Sequence, residues 1–88
     1  MSGPDDLISR MNEKLLTMSK GQRKLATYIS RNYDKAVFMT AARMGDEVGV
    51  SESTVVRFAT LLGYSGYPAF QKAMEDMVQD KLNYIQNI

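Results

Sequence analysis

The sequence predicts an all-α domain, a compact bundle of about five helices. Apolar residues recur at steps of three and four residues in five separate segments, which is the spacing of one buried helical face. No strand-length alternation, internal repeat or low-complexity stretch is present in the sequence. The chain has 88 residues, 44% of them hydrophobic, and two prolines, so we expect a single small globular domain.

The first predicted helix runs from about Pro4 to Leu16. Asp5 and Asp6 lie in its first turn, where the helix dipole favours acidic residues. Its apolar stripe comprises Leu7, Ile8, Met11 and Leu15.

The second predicted helix begins after Ser19, an N-cap residue that forms a capping-box pattern with Gln22. Leu25, Ala26 and Ile29 form its buried stripe. Asn32 is the expected end of this helix. In the connector that follows, we expect Val37 and Phe38 to pack against the core.

The next two helices have the spacing of a helix-turn-helix. Thr40 caps a short helix that ends near Val48, and Ser51 caps a second helix that Gly63 ends with a left-handed conformation. Gly45 provides the small residue needed where the two backbones approach, and Gly49 provides the turn. The apolar residues expected to hold the pair together are Met44, Val48, Val50, Val55 and Phe58.

A fifth helix starts at Pro68, which suits a first helical turn, and runs to about Tyr84. No hairpin follows Gly63, so the helix-turn-helix is predicted to be homeodomain-like and to lack a wing. We expect Tyr64 and Tyr67 to pack the intervening loop rather than to contact a ligand. The residues predicted to face inward are Phe70, Met74, Met77, Val78, Leu82 and Ile85.

A helix of this kind enters the major groove of DNA with its N-terminal residues toward the base edges. Arg57 is the expected base contact, because a guanidinium can bond to both O6 and N7 of guanine. Ser53 can bond to a base edge or a phosphate, Val56 can contact a thymine methyl, and Glu52 can accept from cytosine N4. The outward face comprises Ser51, Glu52, Ser53, Val56, Arg57 and Thr60. For the Ser51 side chain, the sequence favours N-capping and DNA contact equally.

Phosphate contacts are expected around this helix. Thr40 and Ala41 begin the preceding helix, where a hydroxyl and backbone N–H groups can hold a phosphate. Arg43 and Lys20 are further candidates. The formal net charge is only +1, but residues 14–57 carry eight Lys and Arg residues against four Asp and Glu residues. A basic middle segment of this kind suits phosphate contacts on one face.

Composition argues against catalysis and metal binding. The chain has neither cysteine nor histidine, so it lacks thiolate chemistry, the commonest general base and the commonest zinc ligand. Its acidic pairs, such as Asp46 with Glu47, are adjacent in sequence and point to different sides of a helix. We therefore expect no enzyme, no metal site and no cofactor. The absence of cysteine and of a signal or membrane segment fits a cytoplasmic protein.

The string VSESTVVRFATLLGYSGYPAFQKAM, together with the upstream MSKGQRKLATYISRN, resembles the N-terminal domain of RpiR-type transcriptional regulators. The resemblance covers roughly residues 5–80. It implies a DNA-binding domain with its reader helix at residues 51–62. It also implies a repressor or activator of sugar-catabolism genes that binds a palindromic operator as a dimer.

Family members usually continue into a C-terminal sugar isomerase (SIS) domain that binds a phosphosugar effector. We therefore expect residues 1–80 to form the DNA-binding domain and residues 81–88 to begin a linker toward an SIS domain that this chain lacks. Gly45 departs from many helix-turn-helix sequences, which have alanine there.

The terminal helices carry generous apolar stripes, which predict a homodimer. The residues assigned to this interface are Leu7, Met11, Met77, Tyr84, Ile85 and Ile88. The alternative function is a protein-interaction module that uses the same methionine-rich terminal helices without contacting DNA. A small carboxylate enzyme is a more remote third possibility.

Overall fold

The computed structural model describes the backbone of residues 5–86 and the side chains of residues 7–79. The chain forms α1 (Asp5–Lys14), α2 (Lys20–Ala36), α3 (Ala41–Val48), α4 (Glu52–Leu61) and α5 (Tyr67–Gln86). A single 3₁₀ turn at Leu15–Thr17 separates α1 from α2. No strand is present between residues 5 and 86, so the prediction of an all-α bundle without a wing is confirmed.

Each of the five helices contributes to one apolar core. Its largest fully buried side chains are Phe58, Phe70, Leu7, Leu25, Ile29, Met44, Met74 and Val55. Phe70 of α5 contacts Phe58 of α4 edge-on, with ring centroids 5.9 Å apart. Burying an aliphatic or aromatic side chain stabilises the fold by roughly 1.5–3 kcal/mol. The core therefore fixes α4 against the other helices, which is the arrangement that positions the candidate site.

The predicted N-caps are confirmed at three helices. The Ser19 hydroxyl accepts from the Gln22 N–H at 3.2 Å, and the Gln22 side chain accepts from the Ser19 N–H at 2.9 Å. The Thr40 hydroxyl accepts from the N–H of residue 43, and the Ser51 hydroxyl accepts from that of residue 54, both at 3.1 Å. These bonds satisfy N–H groups that the first helical turns leave without a partner.

The end of α2 agrees with the predictions only in part. The helix kinks at Asn32 (φ −136°, ψ 33°) instead of ending there, and it continues to Ala36. The Asn32 side chain donates to the Tyr28 carbonyl at 3.2 Å, which helps to carry the chain through the kink. Val37 is buried as expected, but Phe38 is 86% exposed. Successive residues in a helical turn point in different directions, and here Val37 faces the core while Phe38 faces solvent.

The terminal helices follow their predicted stripes in part. α1 ends at Lys14, and Leu15 lies partly exposed in the 3₁₀ turn. Pro68 lies in the first turn of α5, and the inward residues Phe70, Met74 and Met77 are buried while Val78 is partly buried. The side chains of Leu82 and Ile85 lie outside the described residues. None of the helices in the described part of the chain has the length and apolarity to cross a membrane.

The predicted dimer surface on these helices is wrong for three of its residues. Leu7, Met11 and Met77 are only 1%, 3% and 7% exposed, because α1 packs against α5 and both cover the core. The side chains of Tyr84, Ile85 and Ile88 lie outside the described residues. The alternative function, a partner-docking module, depended on the same terminal helices. Their described methionines are core residues and present no docking surface.

Candidate nucleic-acid interface

The start of α4 lies directly against the backbone of α3 at Gly45. A Cβ atom at this position would lie 2.6 Å from the Val50 carbonyl oxygen and 3.3 Å from the carbonyl carbon of Ser51. Gly49 has φ +87° and ends α3, and the N–H groups of Gly49 and Val50 both donate to the Gly45 carbonyl at 2.8 and 2.9 Å. Such a φ suits glycine because it lacks a Cβ. The two glycine roles predicted for the helix-turn-helix are confirmed.

The orientation of α4 follows from the residues that it buries. Val55, Phe58 and Ala59 have no exposed surface, so the opposite face of the helix is turned to solvent. All six residues predicted for the outward face are exposed: Ser51, Glu52, Ser53, Val56, Arg57 and Thr60. Glu52, Ser53, Val56 and Arg57 line a shallow depression of about 410 Å³. The structure therefore brings these side chains together on one accessible surface, which we call the α4 face.

The hydroxyl groups of the α4 face differ in their availability. The Ser51 oxygen caps the helix and also lies 3.0 Å from Ser53 Oγ and 2.8 Å from Thr54 Oγ1. The capping role proposed for Ser51 is therefore confirmed. Thr60 Oγ1 donates to the Arg57 carbonyl at 2.9 Å. Among residues 7–79, no hydrogen bond or ion pair occupies the Arg57 guanidinium.

The start of α3 presents a second set of groups. Thr40 and Arg43 are exposed, whereas Ala41 is buried, with only 8% of its surface exposed. The Thr40 hydroxyl caps the Arg43 N–H. α5 fixes the connector that precedes Thr40. The Tyr67 hydroxyl donates to the Met39 carbonyl, and Gln71 donates to the same oxygen at 3.3 Å.

Packing is the role of the two loop tyrosines, as predicted. The rings of Tyr64 and Tyr67 lie 5.9 and 5.8 Å from that of Phe70, centroid to centroid. Burial raises the pKa of Tyr67 to about 12, because the charged phenolate would lose its hydration.

Arg10 of α1 contributes to the site in a way that the sequence analysis missed. Its Nη1 donates to the Leu62 carbonyl at 3.0 Å, and its guanidinium lies 4.6 Å from the centroid of the Tyr64 ring. Gly63, at φ +94°, ends α4 there, and the Tyr64 N–H donates to the Ala59 carbonyl at 3.1 Å. A cation at the C-terminal end of a helix is favourable. Arg10 therefore positions the end of α4 that lies away from the predicted base contacts.

A family model described as a helix-turn-helix domain of the rpiR family matches residues 6–81. The chain belongs to the RpiR family. The match includes α3, α4 and every residue of the α4 face. The relatives that it matches are named as HTH-type transcriptional regulators, so the chain is a helix-turn-helix domain of a family of transcriptional regulators.

Several curated regulators resemble this RpiR-family domain. The HTH-type transcriptional regulator YfhH of Escherichia coli is 34% identical over 67 residues, which cover 76% of this chain and 24% of that protein. HexR of Pseudomonas aeruginosa is 35% identical over 63 residues, which cover 72% of this chain and 22% of HexR. An HTH-type regulator of Providencia stuartii is 34% identical over 83 residues, which cover 93% of this chain and 28% of that regulator. The chain thus spans about a quarter of the length of these relatives. No solved structure matches it.

Proposed function

We propose that the RpiR-family domain binds duplex DNA sequence-specifically by inserting the reader helix, residues 51–62, into the major groove. The observation that carries this proposal is the α4 face, on which exposed side chains cluster at the N-terminal half of a helix that the core holds rigidly. A helix-turn-helix presents that half of its second helix to base edges. The Arg57 guanidinium is available for such a contact within the described residues.

Each residue of the α4 face has a proposed role. Arg57 bonds to guanine, Val56 contacts a thymine methyl, and Glu52 accepts from cytosine N4. Ser53 bonds to a base edge or phosphate. Thr60 lies one turn further along the helix, beside Arg57, where it can contact the wall of the groove.

Phosphate contacts complete the proposed complex. Thr40, the backbone of Ala41, and Arg43 lie at the start of α3, which in a helix-turn-helix crosses the DNA backbone. Lys20 is a further phosphate contact. These contacts carry no sequence information but hold the reader helix in register.

The regulated genes are proposed to be those of sugar or phosphosugar metabolism, which family membership supports. We further propose a homodimer that binds a palindromic operator, with the two reader helices about 34–36 Å apart. A phosphosugar effector would act through a part of the regulator outside this chain, because the relatives are about three times as long as this chain. The dimer surface must lie elsewhere than at the buried Leu7, Met11 and Met77.

The test is selection from a random duplex library at physiological salt, with the Arg57→Ala protein and a Lys72→Ala control run in parallel. Lys72 is exposed on α5 and pairs with Asp76 at 3.0 Å, far along the chain from the α4 face. The wild type and control should enrich the same sequence. Arg57→Ala should lose about 1–3 kcal/mol of preference at one base step. Unchanged base preference in that variant would refute the assignment of Arg57.

A further inference from the structure

A second exposed surface lies between α2 and the end of α3. It is an open groove of about 580 Å³, which we call the α2 groove. Its charged lining consists of Lys20, Arg23, Lys24 and Arg31 from α2 and Glu47 from α3. Four cations therefore face one carboxylate, in a chain whose formal net charge is only +1. Such a concentration of one charge indicates an anionic partner.

The cations of the α2 groove follow one face of the helix. Lys20, Lys24 and Arg31, with Thr27 between them, are spaced by four, three and four residues, and residues at these steps lie on the same side of a helix. All of these side chains are exposed, and no ion pair between residues 7 and 79 neutralises Lys20, Lys24 or Arg31. At 1.5 Å per residue, the stripe is about 16 Å long.

The α2 groove begins beside the reader helix. A Cβ atom on Gly21 would lie 3.3 Å from Val50 Cγ1 and 3.7 Å from Thr54 Cγ2, so the first turn of α2 touches the first turn of α4. Val48, which precedes the turn of the helix-turn-helix, also lines the groove. The stripe of cations therefore starts next to the end of α4 that enters the major groove.

We propose that the α2 groove binds the sugar-phosphate backbone of the DNA, along one wall of the major groove that α4 occupies. This inference rests on the proposed function and extends the contact well beyond the helix-turn-helix. The stripe is about 16 Å long, so its cations can face more than one phosphate of the same strand. Glu47 opposes this binding, since its carboxylate faces the same phosphates.

The experiment measures the affinity of the chain for its selected duplex and for a random-sequence duplex of equal length over a series of salt concentrations. The test variant is Lys24→Gln with Arg31→Gln, which changes two groove residues to which the proposed function gives no role. The control is Lys14→Gln with Lys72→Gln, which removes the same charge from exposed positions on α1 and α5. Circular dichroism checks that each variant is folded.

Each phosphate contact contributes about 0.9 to the slope of log affinity against log salt, so the test variant should lose about 1.8 of that slope. This corresponds to an affinity loss of about 30-fold at roughly 0.15 M salt, equal for both duplexes, with the ratio between them unchanged. Glu47→Gln should tighten binding to both duplexes. The control should retain the wild-type slope.

The inference would be overturned if the test variant had the same salt slope and affinity as the control. That result is expected if the groove binds an acidic segment of a partner protein instead of DNA. The proposed function fails separately, when the wild type enriches no sequence, and the assignment of Arg57 fails when Arg57→Ala leaves base preference unchanged. Only the groove contact would be refuted if Arg57 determines base preference but the Lys24→Gln, Arg31→Gln variant keeps the wild-type salt slope.

Discussion

Replacing Gly45 with alanine should destabilise the domain, although alanine is the better helix former. The intrinsic preference favours alanine by about 1 kcal/mol. The added methyl, however, would lie 2.6 Å from the Val50 carbonyl oxygen, which belongs to backbone and cannot move without shifting the turn. Overpacking of this kind costs about 1–3 kcal/mol. The same shift weakens the two hydrogen bonds that the Gly45 carbonyl accepts, worth about 0.5–1.5 kcal/mol each.

The expected net result for Gly45→Ala is a loss of about 1–2 kcal/mol in the free energy of unfolding, measured by urea denaturation. Gly21→Ala provides a matched control. Gly21 also lies inside a helix, but the nearest atoms to its added methyl belong to the side chains of Val50 and Thr54, at 3.3 and 3.7 Å. Because side chains can adjust, this control should be neutral or more stable by up to about 1 kcal/mol.

The reasoning would be refuted if both alanine variants gained stability equally. That result would mean that the distance between α3 and the start of α4 does not constrain residue 45. An unchanged denaturant dependence (m-value) in both variants is needed for the comparison, since it indicates that the extent of unfolding is the same.

Three further predictions concern the supports of the site. Arg10→Ala should lower the free energy of unfolding by about 1–2 kcal/mol, because the Leu62 carbonyl loses its charged donor. Arg10→Lys should recover only part of this loss, and thermal unfolding of both variants measures it. The pKa of Tyr67 is raised to about 12 in the folded state, so the contribution of its neutral side chain to the free energy of unfolding is complete below pH 10 and is lost as the pH rises toward 12. Tyr67→Phe should therefore flatten the fall in the free energy of unfolding over this pH range, as urea titrations can measure. Ser19→Ala should cost about 1 kcal/mol by removing the capping box, and an unaltered melting temperature would contradict this assignment.

Local chemistry made much of the helix-turn-helix predictable from sequence. The Ser51 cap, the turn at Gly49 and the close approach at Gly45 each depend on residues within a few positions of one another. The alternation of buried and exposed residues along α4 follows from helical periodicity alone. The α4 face could therefore be predicted residue by residue, and the structure places it as expected.

Contacts between distant parts of the chain could not be predicted in this way. Arg10 reaches Leu62 across 52 residues, and Tyr67 reaches the Met39 carbonyl across 28. Nothing in the local pattern distinguishes Arg10 from any other exposed basic residue. The same difficulty explains the errors in placing Phe38 in the core and Met77 in the dimer interface, because hydrophobicity alone does not determine whether a side chain faces its own core or the solvent.

The central claim, that the α4 face contacts base edges in the major groove, is tested most directly by methylation interference on the selected duplex. Dimethyl sulfate methylates guanine at N7, which lies in the major groove, and adenine at N3, which lies in the minor groove. We predict that N7 methylation at specific guanines blocks binding while N3 methylation does not, and that Arg57→Ala loses the interference at one guanine. Interference from adenine N3 alone, or an Arg57→Ala pattern identical to that of the wild type, would contradict the account.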